Sequence, residues 1–212
     1  MQSNLAVTDK TRVKRGPKRA DYSIERIHQI IDASLLCHVS QCVEGQPFIT
    51  PTCHWRQGDY LYWHGHSHAR NLSVGQPVAV NICQLDGLVM ARSAFHHSIN
   101  YRSVTLFGIP ELVTDKQEQT ESLRWFVDKI SPERWAQLRP MTETELKATG
   151  IVRLKIQEAS CKVRAAPPVD DADDYEWPVW AGVIPLEKRW GVMEQDPVQS
   201  VDYPEPKLSD AF

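Results

Sequence analysis

Residues 35–65, "LLCHVSQCVEGQPFITPTCHWRQGDYLYWHG", decide the fold. Apolar and polar residues alternate through most of this stretch, the period-two pattern of strands with one face buried. Glu44-Gly45-Gln46 and Gln57-Gly58-Asp59 supply turn chemistry. Pro47 and Pro51 belong on a strand edge or at a bulge, because proline has no N–H to give to a ladder. The stretch therefore predicts three antiparallel strands joined by short turns.

The flanking sequence extends this pattern. Upstream, "DYSIERIHQIIDASLL" places Ile24, Ile27, Ile31 and Leu35 at helical spacing behind Ser23 as N-cap, which predicts a helix packed on the sheet. Downstream, "PVAVNICQLDGLVMAR" predicts a hairpin turning at Asp86-Gly87, and "YRSVTLFGIPELV" a strand bent at Gly108-Ile109-Pro110. The period then changes. Leu123, Phe126, Val127 and Ile130 make a helical stripe, Ser131-Pro132 opens a shorter helical piece, and Thr142 with Glu145 forms a capping-box pattern. "GIVRLKIQEASCKVRA" returns to alternation. Many short antiparallel strands with inserted helices point to a closed or nearly closed barrel, since closure removes exposed edges.

Three units are expected along the 212 residues: a basic arm over 1–20, one domain over 21–188 and a tail over 189–212. The arm contains "KTRVKRGPKR" and reads as a solubilising or surface-hugging lead-in, with no interleaved aromatic residue to stack on nucleic-acid bases. Past Pro167-Pro168 an acidic loop is expected, then a docking segment that buries Trp177, Val179, Trp180 and Val183. The prolines beyond Gln195 suit a tail or a strap across a partner.

A hydrophobic fraction of 42%, a charged fraction of 24% and a net charge of -3 give no general attraction for nucleic acid or membrane. Cys37, Cys42, Cys53, Cys83 and Cys161 are widely spaced without a CxxC pair, as expected for reduced, mostly buried thiols in a cytoplasmic protein. There is no apolar run long enough to span a bilayer and no apolar leader, so cytoplasm is the expected compartment.

Three polar constellations carry chemistry. "WHGHSHARN", residues 63–71, sets His64, His66 and His68 two apart, which on a strand suggests a metal face. The same stretch offers Ser67 and the Arg70 fork for a phosphate. "ARSAFHHSINYRSV", residues 91–104, crowds polar groups between apolar runs, as a hydrated turn or the rim of a polar ligand would. In "ASCKVR", Lys162 and Arg164 share one face of a strand, either solvated or serving as further cations for a phosphate. GxSxG, P-loop and GxGxxG patterns are all absent, so nucleophilic hydrolysis finds no support and a phosphate would have to be bound outside the NTPase and dinucleotide modes.

Taken together, "GQPFITPTCHWRQGDYLYWHGHSHARN", "PVAVNICQLDGLVMARSAFHHSINYRSVTLFGIPELV", "EASCKVRAAPPVDD" and "WPVWAGVIPL" resemble the pyridoxamine 5'-phosphate oxidase-like split-barrel flavoproteins over roughly residues 15–188. Within them the likeness is greatest to the branch of nitroimidazole-resistance and flavin-nucleotide-binding proteins. The resemblance implies a six-stranded antiparallel split β-barrel, mainly β with inserted helices, and a homodimer holding FMN at its subunit interface. It places Ile49, Thr50, Pro51 and Thr52 against the flavin ring, and His64, Gly65, Ser67 and Arg70 around the phosphate. Tyr101, Arg102 and Ser103 would reach the cofactor from the other subunit, and Trp180 would close over the ring, with Lys162 or Arg102 as a second cation.

Ala69-Arg70-Asn71 carries one cation where the oxidases proper carry adjacent Arg-Lys, and their C-terminal arginine-and-histidine pattern is missing. Oxidation of pyridoxamine phosphate is therefore not expected. The implied activity is electron transfer from a nicotinamide donor to a small acceptor such as a nitro-aromatic, a quinone or dioxygen, with His96 or His97 as a candidate proton donor. The alternative is a non-catalytic flavin- or haem-binding module, with His64, His96 and His97 as the histidines to consider for haem.

Overall fold

The computed structural model describes residues 3–72 and 74–209. Among these, the strands are β1 (Ala20–Asp21), β2 (Leu36–Val43), β3 (Gln46–Gln57), β4 (Tyr60–His66), β5 (Val78–Met90), β6 (Ser98–Gly108), β7 (Glu111–Leu112), β8 (Thr149–Lys155), β9 (Ala159–Arg164) and β10 (Gly182–Pro185). Three helices, α1 (Ile24–Asp32), α2 (Lys116–Ile130) and α3 (Glu143–Ala148), are inserted between them. The strands run in the order β1-β9-β6-β5-β2-β3-β4-β8-β7, with β10 added on β5, and every pairing is antiparallel. The expected class is found, with ten strands among the described residues where six were expected; three of them, β1, β7 and β10, are short additions of two to four residues.

The opening stretch forms β2, β3 and β4 as its alternation predicts. Glu44 (φ 51°) and Gly45 (φ 78°) turn the first hairpin in the left-handed region. Gly58 (φ 56°) turns the second. Strand β3 then changes partner along its length: Gln46–Cys53 pair with β2, and His54–Gln57 pair with β4. Among the described residues no strand pairs with the other edge of 46–53, and the barrel is split there.

The interior is apolar. Ile27, Ile30 and Ile31 of α1 plug one end against Val39, Leu61, Trp63, Val80, Ile82, Val104, Leu106 and Leu154, all at most 2% exposed. A second cluster of Trp55, Tyr62, Val113, Leu123 and Ile151 packs α2 on the outside of β3, β4 and β8. Asp115 caps α2 by accepting from the Glu118 N–H, and the Thr142–Glu145 capping box is fully formed on α3.

Several expectations change. Asp86-Gly87 is not a hairpin turn: β5 runs through it, with a bulge between Leu85 and Gly87. A Cβ on Gly87 would lie 2.6 Å from the Ile184 carbonyl oxygen, so the bare backbone is what lets β10 lie on β5. The thiols are all free, but only Cys37 and Cys161 are buried; Cys42 and Cys83 lie exposed on the outer face. The lead-in hugs the surface: Tyr22 Oη donates to Thr11 O and accepts from Val13 N–H, and Thr8 Oγ1 donates to Glu158. Arg164 is 7% exposed rather than solvated, and Trp177 and Trp180 stay 65% and 63% exposed rather than buried.

His54, with no exposed surface, is a core histidine. Its Nε2 lies 3.0 Å from Ile31 O, and burial, reinforced by nearby Lys129, lowers its pKa to about 4. The folded state keeps this ring neutral while the unfolded chain protonates it near 6.5. Stability is therefore lost as pH falls from about 6.5 towards 4, by an amount on the order of 3 kcal/mol from this group. Urea unfolding of wild type and His54→Gln across that window should show a smaller slope in the variant; equal slopes would refute the assignment.

Candidate functional site at the split of the barrel

The split exposes the backbone of β3 on one edge and the outer face of the sheet beside it. Along β3, Ile49 (67% exposed) and Pro51 project outward, while Thr50 and Thr52 lie opposite the buried residues Val39 and Cys37. Unpaired N–H and C=O groups on a strand edge are donors and acceptors for a planar heterocycle. Side chains alone bridge the seam. Thr52 Oγ1 donates to His64 O at 3.4 Å, and Gln41 Nε2 donates to Arg70 O at 2.7 Å.

Beyond the seam, the chain turns sharply from His66 to Leu72. Ala69 N–H donates to His66 O, Ser67 N–H to Ala148 O, and Trp63 Nε1 to Asn71 O. The turn rests on Gly150 of β8, where a Cβ would lie 2.5 Å from Leu72 Cδ1 and 3.3 Å from Ser67 Cα. Arg70 and Ser67 are exposed on the turn, and the Arg70 guanidinium lies over the Phe48 ring at 4.0 Å. A cation on a packed turn beside an unpaired strand edge is an arrangement that can hold a phosphorylated heterocycle.

The three histidines of the turn do not share a centre. His64 packs against Trp55 (5.8 Å) and Phe126 (5.0 Å) beneath α2; burial lowers its pKa, and its buried Nδ1 has no hydrogen-bond partner. His66 and His68 are exposed, with rings 5.5 Å apart. Among the described residues no group of three or more His, Cys, Asp or Glu side chains is placed to hold a metal ion.

The remaining predicted residues lie elsewhere in the same chain. Lys162, Ser103 and Cys83 form one row across β9, β6 and β5, with Tyr101 beside Leu85 and Arg164 in the next row. Ser103 is three strands from β3, about 14 Å at ordinary strand spacing. Arg102 points to the other face and donates from Nε and Nη2 to Asp86, at 2.8–3.2 Å. Trp180 precedes β10, which pairs with residues 87–90 at the far end of β5 from Val78, the neighbour of Gln41. Within one chain the set is therefore divided between the two ends of a 13-residue strand.

Sequence reasoning missed Asp170. This acid, 7% exposed, accepts from the Arg92 backbone N–H (2.9 Å) and from its Nη1 (3.0 Å), which ties the loop after β9 to the loop after β5. In the sequence it stands in an acidic run that reads as solvated loop, and nothing local marks it as a partner for Arg92.

This architecture, an antiparallel barrel split at β3 with a basic turn at the seam, is that of the flavin-binding split-barrel class. Residues 23–163 match the family described as pyridoxamine 5'-phosphate oxidase, and the chain belongs to that family. Among solved structures it is similar to a flavocytochrome from Azotobacter vinelandii, 46% identical with a TM-score of 0.89, covering 94% of each chain. It is also similar to the FAD and heme binding protein from Mycobacterium smegmatis, 35% identical with a TM-score of 0.84, covering 89% of this chain and 94% of that one. A protein assigned to 5-nitroimidazole antibiotic resistance from Bacteroides thetaiotaomicron shares the fold at 18% identity and a TM-score of 0.56, over 68% of this chain and 86% of that one. No curated protein matches the chain.

Gly150→Ala tests the support of the turn. The methyl group meets backbone at Ser67 and the packed Leu72, so unfolding free energy should fall by about 1–3 kcal/mol in urea titration. An unchanged midpoint would show that the turn does not depend on this contact.

Proposed function

We propose that this chain is a redox protein that binds a flavin at the split of its barrel and a haem as a second group. The observation that carries the flavin reading is the unpaired edge of β3 at residues 46–53, set beside the exposed Arg70 and Ser67. Ile49, Pro51 and the β3 backbone would receive the ring, and Ser67 and Arg70 the phosphate. The likeness at 46% identity to a flavocytochrome and at 35% to an FAD- and haem-binding protein supports the pair of cofactors, and the second of the two favours FAD over the mononucleotide. When bound, a flavin exchanges electron pairs with a donor such as a nicotinamide, and a haem carries electrons singly.

The chain's own part is binding and orientation. Arg70 supplies a planar fork for a phosphate, already positioned against Phe48. Thr52 holds the two sides of the seam together through His64 O. A second copy of the chain completes the reading. Leu36, Leu85, Leu88 and Ile99 leave the outer face of the sheet apolar and 38–49% exposed, and a partner seated there would bring Tyr101, Ser103, Lys162 and Trp180 to its neighbour's seam. The acceptor is a small molecule, a nitro-aromatic, a quinone or dioxygen. No helix among the described residues is long and apolar enough to cross a membrane.

The first test is the absorption spectrum of the purified protein with mass analysis of the released groups. Flavin bands together with a Soret band support the reading; a colourless chain that takes up neither flavin nor haemin refutes it. Arg70→Ala should weaken FMN and FAD by roughly tenfold or more while leaving riboflavin nearly unchanged, since only the phosphorylated forms carry the charge. Equal losses for all three would make Arg70 structural. Sedimentation should return twice the mass of one chain, and a monomer that still binds flavin tightly would remove the partner from the site.

A further inference from the structure

A second cleft lies away from the split, between the lead-in and the ends of β6 and β9. Its volume is about 440 Å³, and Arg15 and Arg19 of the lead-in line it together with Phe95, His97 and Arg164. No carboxylate lines the cleft, although Asp171 lies 3.4 Å from His96 Nε2. Cations are crowded here. A Cβ on Gly16 (φ 67°) would lie 3.8 Å from both Arg19 Cδ and Lys162 Nζ, so the left-handed turn of the lead-in brings these two side chains towards one point. Burial lowers the Arg164 pKa, and the charge of Arg19 lowers it further. Arg164 is committed, since it donates to Asn100 Oδ1, Ala166 O and Pro167 O. Lys162 stands in one row with Ser103 and Cys83, so its ammonium stays with the neighbouring chain's seam and marks where the cleft borders that face of the sheet. Among the described residues, the side chains of Arg15 and Arg19 take part in no ion pair and no hydrogen bond. Like charges gathered without a counter-charge repel one another, and a bound anion relieves that cost.

The rest of the lining has different chemistry. Phe95 is 89% exposed and meets the His96 ring edge-on at 5.1 Å, which leaves a flat apolar surface on which a base can stack. His97 is exposed, and its Nδ1 lies 2.8 Å from the backbone oxygen of Ser93. An oxygen there can only accept, so the neutral ring carries its proton on Nδ1 and offers Nε2 as an acceptor for a hydroxyl. Base, sugar hydroxyl and phosphate are the three parts of a nucleotide. Two uncommitted guanidinium forks also match the two charges of a phosphate monoester better than the single charge of a diester.

We infer that this cleft binds the 2'-phosphorylated adenosine end of a nicotinamide dinucleotide and so selects NADPH over NADH as electron donor. Arg15 and Arg19 take the phosphate, Phe95 the base, and His97 Nε2 a sugar hydroxyl. In such a dinucleotide the 2'-phosphate is the one monoester, and it sits on the same ribose as the base. The inference rests on the reading above that a nicotinamide donor serves the bound flavin. Because the cleft borders the sheet face that a second copy covers in that reading, a dinucleotide anchored by its adenosine end has its other end beside the neighbouring seam. An inorganic anion would use the two arginines and leave Phe95 and His97 without a role.

The test is calorimetric titration of the full-length wild type, Arg15→Ala, Arg19→Ala and Phe95→Ala with adenosine 2',5'-bisphosphate, AMP and pyrophosphate, with bound flavin measured alongside. Wild type should bind the bisphosphate about tenfold more tightly than AMP, and each arginine variant should remove most of that difference. Phe95→Ala should weaken both nucleotides by about fivefold or more and leave pyrophosphate unchanged. Equal wild-type affinity for the bisphosphate and AMP, or bisphosphate affinity untouched in both arginine variants, overturns the inference. Pyrophosphate bound as tightly as the bisphosphate, with no effect of Phe95→Ala, would assign the cleft to free anions and overturn it as well. Flavin reduction by NADPH and NADH then separates this inference from the reading beneath it. NADPH should be faster at low concentration, and the gap should close in Arg19→Ala; equal rates for the two in wild type overturn the donor selection. A chain that takes up no flavin yet keeps the arginine-dependent preference for the bisphosphate refutes the flavin reading and supports the cleft.

Discussion

Strand β3 is continuous over twelve residues, yet its ladder passes from β2 to β4 at Cys53-His54. Over 46–53 the edge of β3 turned away from β2 has no strand against it among the described residues, so its N–H and C=O groups are left open. Much else follows from that constraint. The barrel closes around the opening by packing: a Cβ on Gly108 of β6 would come within 2.7 Å of Leu154 on β8, across from one half of the sheet to the other. Helix α2 covers only the half of the sheet that β4 and β8 complete, and the outer face of the other half stays bare.

The two candidate sites differ in how they are built. At the split, the backbone dominates, with one exposed arginine on a turn held by Gly150 and Trp63. In the basic cleft, side chains dominate, and they come from three separate segments: the lead-in, the loop before β6 and the end of β9. The first is therefore readable as a continuous motif, whereas the second exists only once the lead-in is docked by Tyr22, Thr8 and Glu158. A segment whose composition suggests a solubilising arm becomes one wall of a cleft because its polar backbone groups find partners on the domain.

Buried polar groups divide along the same lines. His54 is satisfied on one nitrogen by Ile31 O and serves the core. Asp170 is satisfied by Arg92 and fastens two loops. The loop over 92–96 keeps Arg92 Nε and Ser93 Oγ buried without a hydrogen-bond partner, while His96 Nε2 lies 3.4 Å from Asp171.

By itself, the sequence determined the strands β2, β3, β4, β8 and β9, the two tight turns around β3 and the helical insert, because alternation, glycine torsions and capping act over a few neighbouring residues. It also carried the family, through the order and spacing of its motifs. Only the tertiary structure decided that Asp86-Gly87 is a bulge under β10, that His64 packs beneath α2 apart from His66 and His68, that Arg164 is buried, and that Arg15, Arg19, His97 and Lys162 share one cleft. Those outcomes depend on which distant segment comes to lie against each residue, and long-range pairing in a mainly antiparallel barrel leaves no periodic trace in the chain.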